Sequence, residues 1–291
     1  MIKTKVKKCF PPESSVLNKN IPAGNPDRKA ILIVSFGTSY IKSLKASVGA
    51  VEDKIIQTFA DYDVRRAFTS QMIIDKLEKR DGIFIDNVSQ AMERIVRDGI
   101  GTLVVQTTHV IRGFEYDDMV SDIKPYEKYF ASVSYGLPLL SSDDDYRETA
   151  EILADETSKY NCRDTAVVFM GHGTGHSANA SYVKLERCLK AMGYSNYFIG
   201  TVEAKPSLSD VVEAVKKTSA SRVILQPLMI FAGNHANRDM AGDEKYSWKA
   251  VFSEAGFKVE CVMRGMGEME KIQNMFAEHC FNAIKALKEK R

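Results

Sequence analysis

The chain has 291 residues, 44% of them hydrophobic and 27% charged, enough apolar material for one large or two ordinary globular domains. Forty basic residues stand against 38 acidic ones, a formal charge of +2. That balance excludes a global electrostatic footprint for nucleic acid or an anionic membrane.

Residues 1–29, beginning "MIKTKVKKCFPPESS", are basic and rich in Pro, Asn, Ser and Lys. No apolar run follows the basic start, so a secretory signal is not expected, and no later stretch has the length of a membrane span. The segment is predicted to be a poorly ordered N-terminal extension. "AILIVSF" (30–36), β-branched and stopped by Gly37, predicts a buried parallel strand. A helical stretch over 44–62 and a strand "DVRRAF" (63–68) come next. Helices are predicted over 70–82 and 86–99, then a strand "TLVVQTTHVI" (102–111), a helix from near Glu115 and a short strand "ASVSYG" (131–136).

After a polar connection over 141–164 the rhythm restarts. The second set of strands reads "TAVVFM" (165–170), "NYFIGTV" (196–202), "RVILQPLMIF" (222–231) and "FKVECVMRG" (257–265). Helices are predicted around 178–192, 207–219 and 239–254, and the tail 268–290 is a long amphipathic helix. Such alternation predicts an α/β fold of two similar doubly wound domains, each with a mainly parallel sheet flanked by helices. An internal echo supports the duplication: "FGTS" (36–39) resembles "HGTG" (172–175), and "LVVQTTHVIRGFE" (103–115) resembles "VILQPLMIFAGNH" (223–235). In that alignment Gln106 falls opposite Gln226 and Glu115 opposite His235. The predicted domains are 30–142 and 143–291, the second carrying the terminal helix. The cysteines (Cys9, Cys162, Cys188, Cys261, Cys280) are odd in number and lack a C-x-x-C pair, which predicts reduced thiols and a cytoplasmic protein.

In an open α/β sheet, ligands bind outside the carboxyl ends of the strands. His172, Glu203 and His235 follow three consecutive predicted strands of the second half. Two imidazoles and a carboxylate suit divalent Co, Fe, Ni or Zn; a single histidine after a strand is more often a hydrogen-bonded loop residue, and three such residues at successive strand ends bring the two readings level. His176, four residues beyond His172, is separated from it by Gly173 and Gly175, so the helical two-histidine clamp of zinc proteases is a poor analogy. "GHGTGH" also lacks the Lys-Ser/Thr ending of a P-loop and the spacing of a dinucleotide fingerprint. His109 ends a strand of the first half, where packing and a place in the ligand crevice are both open to it. Arg66, Arg112, Lys205 and Arg238 lie near strand ends as cations for substrate carboxylates or as solvated loop charges.

The motifs "LIVSFGTSY", "RRAFTSQMII", "KRDGI", "PLLSSDDDY", "VVFMGHG" and "AGNHANRDMAGDEKYSWK" together resemble the anaerobic sirohydrochlorin cobalt chelatase family, the CbiK-type, class II tetrapyrrole chelatases. The resemblance runs from about Ala30 into the terminal helix. It implies two similar α/β domains with a tetrapyrrole cleft between them, and ATP-independent insertion of Co2+ into sirohydrochlorin in anaerobic cobalamin biosynthesis. The metal is then a substrate, with Fe2+ or Ni2+ as other ions of the same class, and no organic cofactor is implied. Carried over by motif, His172, Glu203 and His235 gather the metal and His172 is the proton acceptor. Substrate-binding candidates are Ser35, Gly37, Thr38, Ser39, Arg66 and His109. The family pattern has an acidic residue before the last histidine, where this chain has Asn234. Fe2+ insertion giving sirohaem, a non-catalytic tetrapyrrole or metal carrier, and a metal-dependent hydrolase are the rival readings. The terminal helix can pack within the chain or in a homo-oligomer.

Overall fold

Two parallel four-stranded sheets, described here by a computed structural model over residues 22–289, carry the fold. In the first half β1 (Asn25–Ser35) is followed by α1 (Ile41–Ala46), α2 (Val48–Thr58), β2 (Asp63–Phe68), α3 (Gln71–Asp81), α4 (Val88–Arg97), β3 (Ile100–Thr107), α5 (Phe114–Ile123) and β4 (Ser132–Gly136). The second half runs α6 (Asp143–Glu156), β5 (Thr165–Gly171), α7 (Ala180–Ala191), β6 (Tyr197–Thr201), α8 (Leu208–Lys216), β7 (Arg222–Pro227), α9 (Trp248–Glu254) and β8 (Lys258–Cys261), closed by α10 (Glu270–Glu289). The sheet orders are β2-β1-β3-β4 and β6-β5-β7-β8, the same permutation twice. Each sheet therefore has its order reversal between its first and third strands, where an α/β sheet opens a crevice.

The apolar runs are continuous because these strands are covered on both faces. Along β1, Ala30, Leu32 and Val34 pack in one cluster with Met92 and Ile95 of α4 and Met119 and Ile123 of α5. Ile31 and Ile33 between them are equally buried and point to the other face by the two-residue period of a strand. In the second half, Ala166, Val168 and Met170 of β5 share a cluster with Val211, Val215, Trp248 and Phe252.

Several expectations need correction. β1 starts at Asn25, inside the segment expected to be a poorly ordered extension; residues 1–21 lie outside the described residues. The early part of the strand pairs with β3 across an irregularity between Asn25 and Lys29. Exposed polar side chains hid that pairing, which is made by backbone. Gly24 and Gly101 permit it, because a Cβ on Gly24 would lie 2.0 Å from the Ile100 carbonyl oxygen. The helix expected over 44–62 is two helices broken at the buried Ser47. β7 ends at Pro227 rather than 231, since proline has no N–H to extend a ladder. The helix expected over 239–254 is a π-turn Ala236–Met240 and the short α9.

The polar connection 141–164 holds the fourteen-residue α6. Its start is a capping box: the Asp145 amide donates to Ser142 Oγ (3.2 Å) and the Ser142 amide to Asp145 Oδ2 (2.6 Å). Its buried stripe is Tyr146, Thr149, Ala150 and Leu153, a helical spacing diluted by acids. The chain divides after Leu139, not after 142, and α10 from Gln273 onward belongs with the first unit instead of the second. Within that unit His279 Nδ1 lies 3.1 Å from the Leu137 carbonyl oxygen. Amphipathic spacing specified an apolar stripe on α10 but not the surface that receives it. Among the described residues no helix is long and apolar enough to cross a membrane.

Arg66 on β2, expected as a cation for substrate carboxylates, is committed elsewhere. Its Nε donates to Glu52 Oε1 at 2.5 Å and its Nη2 to Glu52 Oε2. The Glu52 side chain is completely buried; burial pushes its carboxyl up and the guanidinium pulls it back. Arg66→Met should leave that carboxylate uncompensated and lower stability by about 3–5 kcal/mol in urea unfolding. The deficit should narrow as pH falls, because a carboxyl with a raised native pKa takes up its proton more readily folded than unfolded.

Candidate metal centre

His172 is the first residue after β5, at the reversal point of the second sheet. Gly173 behind it has φ +86°, a left-handed conformation, and a Cβ there would stand 2.8 Å from Thr201 Cβ and 2.9 Å from the Ala204 amide nitrogen. Only glycine satisfies both the conformation and the space. The close approach lets the segment after β6 bond directly to the His172 turn. The Val202 amide donates to the Gly171 carbonyl (3.0 Å) and the Glu203 amide to the His172 carbonyl (2.9 Å). Asn179 adds a second tie: it accepts from the Thr174 amide (3.1 Å) and donates to the Lys205 carbonyl (2.6 Å). Beyond Lys205, the Ser207 hydroxyl and amide hold the Asp210 carboxyl down to about 2, which caps α8.

His235 comes from the segment after β7. It has helical φ and ψ and directly precedes the π-turn Ala236–Met240. Ala236 and Met240 are fully buried in the second core and anchor that turn. Asn237 fastens its start, donating through its amide to the Gly233 carbonyl at 3.0 Å and through Nδ2 at 2.7 Å.

The three side chains meet. One donor atom each of His172, Glu203 and His235 lies within 4.8 Å of the other two. His172 Nε2 is 3.7 Å from Glu203 Oε1, and the two imidazole rings stand edge to face with centroids 4.8 Å apart. Ligands on one tetrahedral ion at about 2.0–2.1 Å lie roughly 3.4 Å from each other, so the cluster is slightly wider than a closed site. Glu203 is the most exposed of the three, with 55% of its side chain accessible, and is free to close that gap. Three donors leave coordination positions open, the arrangement of an exchangeable site rather than a structural one.

The hydrogen bonds assign the ring nitrogens. His172 Nδ1 lies 2.9 Å from the Gly173 carbonyl oxygen, which can only accept, so Nδ1 carries the proton and Nε2 the lone pair. His235 Nδ1 lies 2.6 Å from Asp239 Oδ2, which leaves Nε2 as its ligand atom too. Asp239 was not singled out in the sequence; its place four residues after His235 becomes a signal only once the segment is seen to wind as a helical turn. His176 stands outside the cluster: its Nδ1 accepts from the Ala178 amide at 3.0 Å and so caps a local turn.

The substrate-binding candidates all belong to the first unit. Gly37 is the counterpart of Gly173, with φ +96° and no room for a Cβ against the Phe68 ring. Ser35, Thr38 and Ser39 are buried; Ser35 Oγ accepts from Thr108 Oγ1 (2.8 Å) and the Ser39 carbonyl accepts from Arg80. His109, 9% exposed, contacts Thr107 Oγ1 through Nδ1, and its Nε2 stands 3.3 Å from Glu115 Oε2. Of the other strand-end cations, Arg112 faces Asp117 (3.6 Å) and Lys205 faces Asp210 (3.1 Å).

The profile of the cobalt chelatase (CbiK) family matches residues 29–285. The chain belongs to that family. It is 37% identical over 257 residues to the sirohydrochlorin cobaltochelatase of Salmonella typhimurium, covering 88% of this chain and 97% of that protein. It is 29% identical over 265 residues to sirohydrochlorin cobaltochelatase CbiKC of Nitratidesulfovibrio vulgaris, covering 89% and 92%. Among solved structures, SirB from Bacillus subtilis with Fe3+ superposes with a TM-score of 0.60 at 15% identity, over 89% of this chain and 98% of that one. CbiX, the terminal enzyme of siroheme biosynthesis in denitrifying bacteria, gives 0.51 at 17%, over 89% and 99%. These two likenesses establish the shared fold; the alternating elements and the internal echo had predicted its two similar α/β domains, and the family resemblance had implied that it is the chelatase one.

Gly173→Ala should separate crowding from backbone strain. It is expected to cost about 1–3 kcal/mol and to weaken Co2+ binding at least tenfold by pushing the Glu203 segment away. Gly193→Ala is the control: Gly193 has φ +93°, but a Cβ there would meet nothing within 4 Å. That variant should lose stability and keep wild-type Co2+ affinity in isothermal titration.

Proposed function

We propose that the protein is a sirohydrochlorin cobaltochelatase, inserting Co2+ into sirohydrochlorin without ATP in the oxygen-independent route to cobalamin. The observation that carries this reading is the convergence of His172, Glu203 and His235 in a chain whose curated relatives are named for that reaction. Iron insertion is not favoured, since both relatives are named for cobalt and the iron-bearing structure is 15% identical, a likeness of fold. The reaction calls for no organic cofactor, and the cysteines among the described residues, all unpaired, suit a cytoplasmic setting.

In the reaction Co2+ replaces two pyrrole N–H protons, so the ion must shed water and two protons must leave. His172 uses its Nε2 lone pair in turn: it helps hold the ion, and once the ion has moved to the ring nitrogens it accepts one macrocycle proton and passes it to solvent, which takes the second; a positioned base of this kind contributes typically 10²–10⁴-fold. Glu203 supplies negative charge that favours both the incoming ion and the imidazolium. His235 is the second nitrogen ligand. Three ligands, one of them a mobile carboxylate, hold cobalt loosely enough to hand it to the four ring nitrogens. Bending the macrocycle to present those lone pairs draws on binding of its periphery. Ser35, Gly37, Thr38, Ser39 and His109 are the substrate-side candidates of the first unit, while Arg66 acts through the Glu52 ion pair that holds α2 to β2.

The absorbance of sirohydrochlorin with Co2+, Fe2+ and Ni2+ tests the reading. Wild type should accelerate cobalt insertion over the protein-free rate, and His172→Ala should lower kcat by about 10²–10⁴-fold. Glu203→Gln should raise the KM for Co2+ at least tenfold. No acceleration with any of the three metals sinks the chelatase assignment, and a fully active His172→Ala removes that residue from proton transfer.

A further inference from the structure

Asp239 belongs to neither core nor backbone framework. Its carboxylate is 28% exposed, and among the described residues its polar partner is His235 Nδ1 at 2.6 Å. It also lines a cavity of about 460 Å³ together with Thr201, Ser207, Tyr246 and Trp248. A group placed to satisfy a buried donor would be enclosed; this one is part-exposed and still held on one ring nitrogen. The two histidines of the cluster are thereby made unequal. His172 donates its Nδ1 proton to a neutral carbonyl, that of Gly173, whereas His235 donates to a carboxylate. A carboxylate on Nδ1 fixes the ring rotation, selects the tautomer with its lone pair on Nε2, and makes that nitrogen a stronger donor to a metal.

We infer that Asp239 is the positioning residue of His235, holding its ring so that the Nε2 lone pair is presented to the metal. The π-turn serves this contact. Its buried ends Ala236 and Met240 bracket the exposed residues Asn237 and Arg238, and the turn brings Asp239 Oδ2 to His235 Nδ1. The inference rests on the proposed metal-binding role of the cluster, and its geometry is independent of turnover.

Cobalt binding and turnover measured separately on the full chain test it, with Asp239→Ala, Asp239→Asn and Asp239→Glu. Co2+ affinity is read without sirohydrochlorin, from the ligand-field absorption of the bound ion. Asp239→Ala should weaken Co2+ binding about 10–100-fold, raise the KM for Co2+ by the same factor, and leave the KM for sirohydrochlorin within about twofold. Asp239→Asn should fall between Asp239→Ala and wild type, because its amide oxygen still accepts but carries no charge. Asp239→Glu should restore part of the affinity. If Asp239→Ala lowers the thermal unfolding midpoint, the isosteric Asp239→Asn decides. Co2+ affinity and KM within twofold of wild type in both Ala and Asn variants overturn the inference, as does an equal loss in the KM for sirohydrochlorin. Wild-type protein that binds Co2+ without turnover would sink the chelatase reading and leave the positioning role to the binding data.

Discussion

The bond from the Glu203 amide to the His172 carbonyl, 2.9 Å long, is the constraint on which the site depends. It ties the ends of two neighbouring strands, β5 and β6, at the moment each chain segment leaves the sheet. Gly173 makes it possible, since any side chain there would hold the two segments apart. With that bond in place the carboxylate of Glu203 and the imidazole of His172 share one small volume. The third member, His235, arrives from β7 on the other side of β5, so the parallel order β6-β5-β7 is itself the device that assembles the triad. A chain reversal within one hairpin cannot bring three such distant residues together. Three parallel strand ends do so by construction.

The same construction occurs twice, and among the described residues only one copy gathers two histidines and a glutamate. Gly37 repeats Gly173 with φ +96° against +86°, and the Thr69 amide bonds the Ser35 carbonyl as the Val202 amide bonds that of Gly171. Gln106 and Gln226, paired in the internal echo, both send Nε2 to a carbonyl just past the fourth strand of their sheet, Leu137 and Arg264. At the position of His172, however, the first unit has Phe36, 37% exposed. Opposite His235 it has Glu115, near His109. Among the described residues, only His172, Glu203 and His235 form a group able to hold a metal. Duplicated scaffolding with divergent strand-end residues is the expected outcome when a fold supplies position and individual side chains supply function.

Much of this was legible in the sequence, for identifiable reasons. Thr165–Gly171 and the 30–35 part of β1 stood out because burial on both faces makes a parallel strand almost uniformly apolar, and a glycine at or just past the end marks the exit. The triad was legible because strand ends are where such a sheet binds ligands. What escaped were features whose physics is not carried by side-chain polarity. The start of β1 at Asn25 is backbone pairing beneath exposed polar residues. Helix α6 was masked by the acids that cap and solvate it. Asp239 went unread because the loop after β7 gave no sign that it winds into a turn, and only that turn stacks residue 239 over residue 235.

The sequence by itself determined which residues would stand near the ends of parallel strands, since that follows from continuous apolar runs and from glycine, both local properties. It also determined the duplication and the family. The tertiary structure alone decided how those residues are used. It committed Arg66 to the buried Glu52, left His176 as a cap, placed α10 from Gln273 with the first unit, and gave the two clustered histidines different acceptors. Each of these is a choice among partners far apart in the chain. Hydrogen-bond distance and desolvation settle such choices, and neither is defined until the sheets have formed.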